Sequence, residues 1–220
     1  MGKYDYLNPD TYSMHAKILE CVGNNKKVLD VGCAEGNLAN VMFSHECEVV
    51  GIEIDEKSAQ NAKKFCKEVV VGDVESTELP NKYHDYFDYI LFADILEHLK
   101  EPLVVLKRSK KYLKDDGFVI ISLPNISNWR MRLKFLLGKF EYQNTGVLDI
   151  GHIRFFNEKS AKKLLKDAGF EIVRMDITGL DSPVGTKFFQ LIGTQLPNLL
   201  AYQFLIIAKK SYTESKLEEK

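Results

Sequence analysis

No window of the 220-residue chain reaches the roughly 18 apolar residues that a membrane span requires. The opening Met1-Gly2-Lys3-Tyr4-Asp5-Tyr6 has no apolar run behind its charge, so neither a spanning segment nor an export leader is expected. Excess charge is missing as well. Thirty basic against 31 acidic residues leave a net charge of -1, which excludes a polyanion-binding surface built on bulk charge. The four cysteines, Cys21, Cys33, Cys47 and Cys66, form no C-x-x-C pair, and no histidine stands at zinc spacing. That argues against a disulfide framework and a structural zinc, and the cytoplasm is the expected compartment. Internal repeats and low-complexity tracts are also lacking. What remains is a 45% hydrophobic, 28% charged sequence, long enough for one α/β domain with a full core.

The chain is organised around Val28-Leu29-Asp30-Val31-Gly32-Cys33-Ala34-Glu35-Gly36-Asn37-Leu38. Apolar residues around Asp30 predict a short buried strand, the glycines a sharp exit, and Leu38, Ala39, Val41 and Met42 the start of a helix. Such a loop brings backbone N–H groups and a positive helix end to a ligand with anionic or polar edges. Asp30 is costly to bury unless a donor or cation meets it, and the ammonium of an amino-acid-like ligand would serve. Glu48 to Ile54 predicts a second strand, ending in Glu53, 17 residues after Gly36. A carboxylate there suits both hydroxyls of a bound ribose.

A helix is expected before the loop, over Thr11 to Val22, with Tyr4, Tyr6, Tyr12 and His15 near it. Beyond Glu53 the pattern predicts a helix to about Phe65 and a strand over Glu68 to Val71. A Gly72-Asp73-Val74-Glu75 turn follows, in which Asp73 could accept from an exocyclic amine. A fourth strand over Phe87 to Ala93 delivers Asp94 and Ile95-Leu96-Glu97-His98-Leu99. Pro102 opens a helix to about Leu113, and Asp115-Asp116-Gly117 turns into a fifth strand, Phe118 to Leu123. Asn157 to Ala168 predicts a helix that Gly169 stops, Glu171 to Ile177 a sixth strand, Asp181 to Asn198 a long crossover, and Leu200 to Ala208 the last strand.

In order and spacing, four pieces resemble the class I S-adenosylmethionine-dependent methyltransferases: Val28 to Leu38, Val50 to Asp55, Gly72-Asp73-Val74 and Phe87 to Leu99. Leu96-Glu97-His98-Leu99 and Gly151-His152-Ile153-Arg154-Phe155-Phe156 are similar to the small-molecule branch with ubiquinone-biosynthesis-type and sugar methyltransferases. The resemblance implies a Rossmann-like α/β fold, a seven-stranded mostly parallel sheet with an antiparallel last strand and helices on both faces. It implies S-adenosylmethionine as cofactor, with S-adenosylhomocysteine as product. By the match, Asp30 meets the methionine ammonium, and the backbone of Gly32, Cys33, Ala34 and Gly36 packs the methionine and ribose portion. Glu53 holds the ribose, Ile54 flanks the adenine, Asp73 and Val74 bind its edge, and Ala93 and Asp94 close the pocket. Ala34 stands where the family usually has glycine, so weaker or slightly displaced binding is expected.

Domain boundaries follow: a helical cap over 1–24, a donor-binding domain over 25–210 with a lid insertion over about 125–150, and a flexible tail over 211–220. The insert carries Trp129, Arg130, Arg132, Lys134 and Lys139 among large apolar residues. A substrate lid is the first reading, a packed cap the second, and peripheral membrane contact through 126–140 the third. Methyl transfer from a sulfonium needs alignment and removal of the acceptor's proton, for which histidine suits a hydroxyl acceptor. His152 and His98 fall at strand-end connections on the expected cofactor side; His45 and His84 read as surface positions and His15 as a weak candidate. Arg154 is expected to orient the acceptor or brace the lid. Asp94, Glu97 and His98 cluster in sequence, but no carboxylate-rich set completes a metal site, and none is expected. The expected partner is a small-molecule acceptor, a sugar, quinone-like or lipid-linked hydroxyl compound. Nucleic acid is not expected, since no Asn-Pro-Pro-Tyr-type signature follows the fourth strand. Oligomeric state stays open, a dimer included. Two other readings stay open too: another enzyme on the same fold, such as an aminopropyl-transferring synthase or a nicotinamide dehydrogenase, and a non-catalytic S-adenosylmethionine-binding or scaffolding protein.

Overall fold

The computed structural model describes residues 14–178 and 195–211. Helix α1 (Met14–Val22) precedes β1 (Lys27–Val31), α2 (Asn37–Ser44), β2 (Glu48–Glu53), α3 (Glu56–Ala62) and β3 (Glu68–Val71). Then come β4 (Phe87–Ala93), α4 (Pro102–Ser109), β5 (Leu113–Pro124), α5 (Trp129–Leu136), α6 (Glu158–Asp167), β6 (Phe170–Thr178), α7 (Pro197–Leu200) and β7 (Gln203–Lys210). Seven strands form one sheet in the order β3-β2-β1-β4-β5-β7-β6. The first five are mutually parallel, and β7 runs antiparallel to both β5 and β6.

Strand alternation explains the two layers. Leu29, Val31, Ile90 and Phe92 pack into one core with Val105 and Leu106 of α4 and Ala161 and Leu165 of α6. Val28, Val49 and Leu91 pack into the other with Ile18 and Val22 of α1, Leu38 and Met42 of α2 and Ala59 of α3. Both faces of the central strands are therefore covered, which is why they read as continuous apolar runs. Strand order reverses at β1 and β4, and the crevice beyond their C-terminal ends is where ligands settle on such sheets.

Strands β3 and β4 have the expected limits; three other expectations change. Asp115-Asp116-Gly117 do not turn between elements. They form a bulge inside β5, because Phe87 pairs with Leu113 while Tyr89 pairs with Phe118. The helices α3 and α4 stop short of Phe65 and Leu113, each closing in turns. The apolar run from Leu200 is divided: Pro197, suited to a first helical turn, opens α7, and β7 starts only at Gln203. Tyr4, Tyr6, Tyr12, most of the 181–198 crossover and the tail beyond Ser211 lie outside the described residues. No described helix is long and apolar enough to cross a membrane.

Candidate active site

The loop after β1 holds its shape through backbone bonds to β2. The N–H groups of Gly32 and Cys33 both donate to the Ile52 carbonyl, at 2.8 and 3.1 Å. Gly32 has φ +75°, and a Cβ there would stand 2.8 Å from Ile95 Cδ1; Gly36 has φ +82°, and a Cβ would stand 2.8 Å from the Ala62 Cα. Only glycine meets both demands. Ala34 also adopts a positive φ, 47°, and its N–H donates to Glu53 Oε2 at 2.9 Å. Glu53 Oε1 accepts from the Asp55 N–H at 2.9 Å, and Asp55 in turn caps α3 by accepting from the Ser58 N–H at 2.7 Å. Each Glu53 oxygen thus takes one N–H and keeps acceptor capacity for another group.

Asp30 lies 2% exposed in β1, between Gly51 of β2 and Leu91 of β4. Burial first, and the Glu53 charge second, push its carboxyl up to about 7. Ile54 and Val71, at the ends of β2 and β3, leave apolar surface exposed beside this carboxylate pair. Cys33 contributes backbone only, because its sulfur turns into the sheet and fills the space over Gly51, where a Cβ would stand 2.5 Å from it. Asp73 Oδ1 accepts from the Glu75 N–H at 2.8 Å, which holds the loop after β3. Asp94 has φ 53° and is fixed by Ser122, whose hydroxyl donates to Oδ1 at 2.7 Å, and by the Gln203 amide. A buried carboxylate that wants a cation, a second with spare acceptor sites, a loop with no room for side chains and an apolar edge fit an amino-acid nucleoside.

The other half of the site joins the 3₁₀ turn Leu96–His98 to the segment after the insert. The N–H groups of Ile153 and Arg154 both donate to the Glu97 carbonyl at 3.0 Å. This strap places the His98 and His152 rings edge to face, centroids 4.7 Å apart. His98 Nδ1 lies 2.8 Å from the Gly151 carbonyl oxygen and His152 Nδ1 3.0 Å from that of Val147. A neutral ring donates from Nδ1 in both cases, so the lone pair sits on Nε2. Burial lowers the His152 pKa, which keeps that ring neutral. Its Nε2 is 3.9 Å from Glu97 Oε1. Glu97 is 1% exposed, and neither carboxylate oxygen has a hydrogen-bond partner.

The family model for a methyltransferase domain matches residues 7–175. This chain belongs to that family. Its donor is S-adenosylmethionine, in agreement with the carboxylates and glycine loop above. Among curated relatives, the ubiquinone biosynthesis O-methyltransferase of Psychrobacter arcticus is 26% identical over 211 residues, covering 91% of this chain and 79% of the relative. That of Acinetobacter baylyi is 27% identical, covering 76% and 71%. Among solved structures, a methyltransferase from Bacillus halodurans aligns with TM-score 0.64 at 19% identity, covering 90% of this chain and 99% of the other. At such identity the likeness speaks to the fold alone.

The methyltransferase brings the expected donor residues, Asp30, Gly32, Cys33, Ala34, Gly36, Glu53 and Ile54, to one end of the sheet, with Asp73 and Val74 after β3 and Ala93 and Asp94 after β4. It also joins His98 to His152, 54 residues apart. Of the other histidines, exposed His45 pairs with Asn24 and His84 packs against Tyr112, while His15 lies where the Asp94 charge acts on it. Arg154 donates to the Leu99 and Lys100 carbonyls and stands 3.6 Å from Glu101, tying the segment after the insert to the turn after β4. Sequence patterns did not single out Ser122, Gln203, Asn125 or Asn128. The two asparagines, both buried, donate to the Ala201 carbonyl and tie the start of the insert to α7. The Asn128-Trp129 helix start was the one signal available for them.

Proposed function

We propose that this methyltransferase acts on a hydroxyl group of a small hydroxylated acceptor presented at a lipid surface. Its relatives are O-methyltransferases of ubiquinone biosynthesis. The observation that carries the lipid side of this reading is the insert. Nine of the fifteen large hydrophobic side chains left exposed among the described residues lie between Trp129 and Ile153, the last of them next to His152 in the chain. Arg130, Arg132, Lys134 and Lys139 share that stretch, with no carboxylate between Trp129 and Phe140. Cations around exposed Trp, Phe and Leu are what an anionic lipid interface favours.

Asp30 would hold the donor's ammonium and Glu53 its ribose hydroxyls, with the backbone of Gly32, Cys33, Ala34 and Gly36 packed against the methionine and ribose. Ile54, Asp73, Val74, Ala93 and Asp94 would surround the base and close the pocket. Bound S-adenosylmethionine supplies an activated methyl on a sulfonium. The protein's own tasks are then to exclude water, align the acceptor and receive its proton, and the Nε2 lone pair of His152 or His98 would take that proton. Residues 125–150 form the lid in this reading, anchored through Asn125 and Asn128. The reaction takes place in the cytoplasm, at the membrane face.

The test is turnover. Purified protein with S-adenosylmethionine should add one methyl, read by mass spectrometry, to a polyprenylated phenol bearing a free hydroxyl. A soluble sugar hydroxyl methylated equally well without vesicles would sink the lipid-linked acceptor.

A further inference from the structure

The loop after β3 is held from α4. Arg108, in the last turn of that helix, donates from Nη1 to the Glu75 carbonyl at 3.0 Å and from Nη2 to the Val74 carbonyl. The peptide that carries the Val74 carbonyl also carries the Glu75 N–H, and in a trans peptide the two point opposite ways. With its carbonyl drawn toward Arg108, that peptide aims its N–H at Asp73, whose Oδ1 accepts it at 2.8 Å. A second tie runs from the start of α4, where the Glu101 N–H donates to Glu75 Oε1 at 2.7 Å. The loop is also closed on itself: the Ser76 and Thr77 N–H groups both donate to the Asp73 carbonyl, at 3.0 and 2.7 Å. Asp73 is thus an exposed carboxylate with one oxygen fixed by a peptide plane that Arg108 sets. Its other oxygen is left for a ligand.

We propose that Arg108 is a positioning residue of the donor site and determines its preference for an amino-bearing purine. This deepens the reading of the donor site given above and rests on it, because there Asp73 lies at the edge of the base and can accept from its exocyclic amine. Arg108 acts through the Val74–Glu75 peptide rather than by touching the donor. Its shape suits the task. A planar guanidinium fork spans two consecutive carbonyls, whereas a lysine ammonium on its flexible stem offers a single point charge. A loosely held loop would spread the Asp73 carboxylate over several orientations, which binding would then have to order. Held in advance, the carboxylate accepts an amine and repels the lone pairs of a base that presents a carbonyl oxygen at the same edge. The methionine ammonium and the ribose are assigned to Asp30 and Glu53, whose hydrogen bonds do not involve Arg108. Arg108 therefore bears on the base alone.

The full chain is titrated calorimetrically with S-adenosylhomocysteine and with S-inosylhomocysteine, in which a carbonyl oxygen replaces the exocyclic amine. The wild-type chain should prefer the amine by at least about tenfold, since the analogue sets a second acceptor against the carboxylate. Arg108→Met should weaken S-adenosylhomocysteine and leave S-inosylhomocysteine unchanged or tighter, so that the preference shrinks to about threefold or less. A merely structural role would lower the melting temperature and weaken both nucleosides in proportion, with the ratio intact. Should Arg108→Met fail to fold, Arg108→Lys, which keeps the charge and an apolar stem without the fork, carries the same expectation. A preference as large in the variant as in the wild type would overturn the role of Arg108 and leave Asp73 at the base edge. A wild-type chain that binds both nucleosides equally would overturn the placement of the base at Asp73, and the role of Arg108 with it.

Discussion

The Glu53 carboxylate accepts the N–H of Ala34 at 2.9 Å, across 19 residues of sequence, and so holds the one non-glycine residue of the loop with a positive φ in its left-handed conformation. The same carboxylate holds the Asp55 N–H at the entrance of α3. Glu53 is thereby a keystone of the loop as well as the residue proposed to hold the ribose. Replacing it by alanine removes two charge-assisted bonds and the proposed ribose contacts together. Glu53→Ala should weaken S-adenosylhomocysteine binding by at least about 100-fold, with hydrogen bonds to a charged group worth roughly 1.5–3 kcal/mol each. Calorimetric titration reads this, and unchanged affinity would remove Glu53 from the donor site.

Ala34 allows a separate check. A left-handed alanine costs roughly 1–2 kcal/mol, and the extra freedom of an unfolded glycine returns about half of that. Ala34→Gly should therefore raise the melting temperature by a few degrees and leave donor affinity equal or tighter. A loss of affinity would mean that the methyl group contacts the donor.

Asp30 predicts a pH dependence with a definite sign. Its carboxyl titrates near 7 in the folded chain and in the ordinary carboxylate range when unfolded, so the folded state keeps a proton that the unfolded state has released. This group's contribution to stability falls as pH rises from about 4 to 7 and is lowest above 7. Asp30→Asn should be stabilised at pH 8, by roughly 1–3 kcal/mol, and gain little at pH 5. Donor binding runs the other way. The wild-type chain should bind S-adenosylhomocysteine with a pH-independent affinity above 7 and lose up to about tenfold per unit below it, with proton release. Flat affinity between pH 6 and 8 would show that the ammonium is held elsewhere.

The donor half of the site is legible in sequence because its parts are local: a strand, a glycine loop, and a carboxylate at the end of the next strand. Short apolar runs likewise mark β3 and β4 to the residue. The histidine cluster is different. Glu97 and His98 are neighbours, but His152 reaches them only because two N–H groups beyond the insert bond to the Glu97 carbonyl, a contact with no local pattern. Asp115-Asp116-Gly117 has turn composition and yet sits in β5, since pairing with β4 overrides propensity by absorbing the extra residues as a bulge. The inward turn of Cys33 is hidden for a similar reason: it depends on a glycine in the adjacent strand.

That pair makes a packing prediction. A Cβ on Gly51 would stand 2.5 Å from Cys33 Sγ and 3.7 Å from Cys66 Sγ. Gly51→Ala should destabilise the chain by about 1–3 kcal/mol through overpacking, and Cys33→Ala in the same chain should recover much of it. Denaturant melts of the double-mutant cycle measure the coupling. Additive effects would mean that Cys33 Sγ is not the atom filling that space.

The insert supplies the last prediction, and its logic is that exposed side chains can be changed without touching the core. Leu133 and Leu136 on α5 are 48% and 82% exposed, so Leu133→Glu with Leu136→Glu should leave the melting temperature within about 2 °C, the range of surface substitutions. Each removes apolar surface from the proposed lipid face and sets a negative charge beside Arg132 and Lys134. In co-sedimentation, the wild-type chain should bind vesicles rich in phosphatidylglycerol, bind phosphatidylcholine vesicles weakly, and release as salt rises, with each cation near the surface worth about 1 kcal/mol. The double variant should lose most of this binding while keeping S-adenosylhomocysteine affinity. Turnover of a soluble hydroxylated acceptor separates the lid from the anchor: if α5 serves only to reach lipid, the variant methylates the soluble compound at the wild-type rate. If α5 also closes over the acceptor, kcat falls in solution as well. Vesicle binding unchanged by the two glutamates would exclude α5 as the contact.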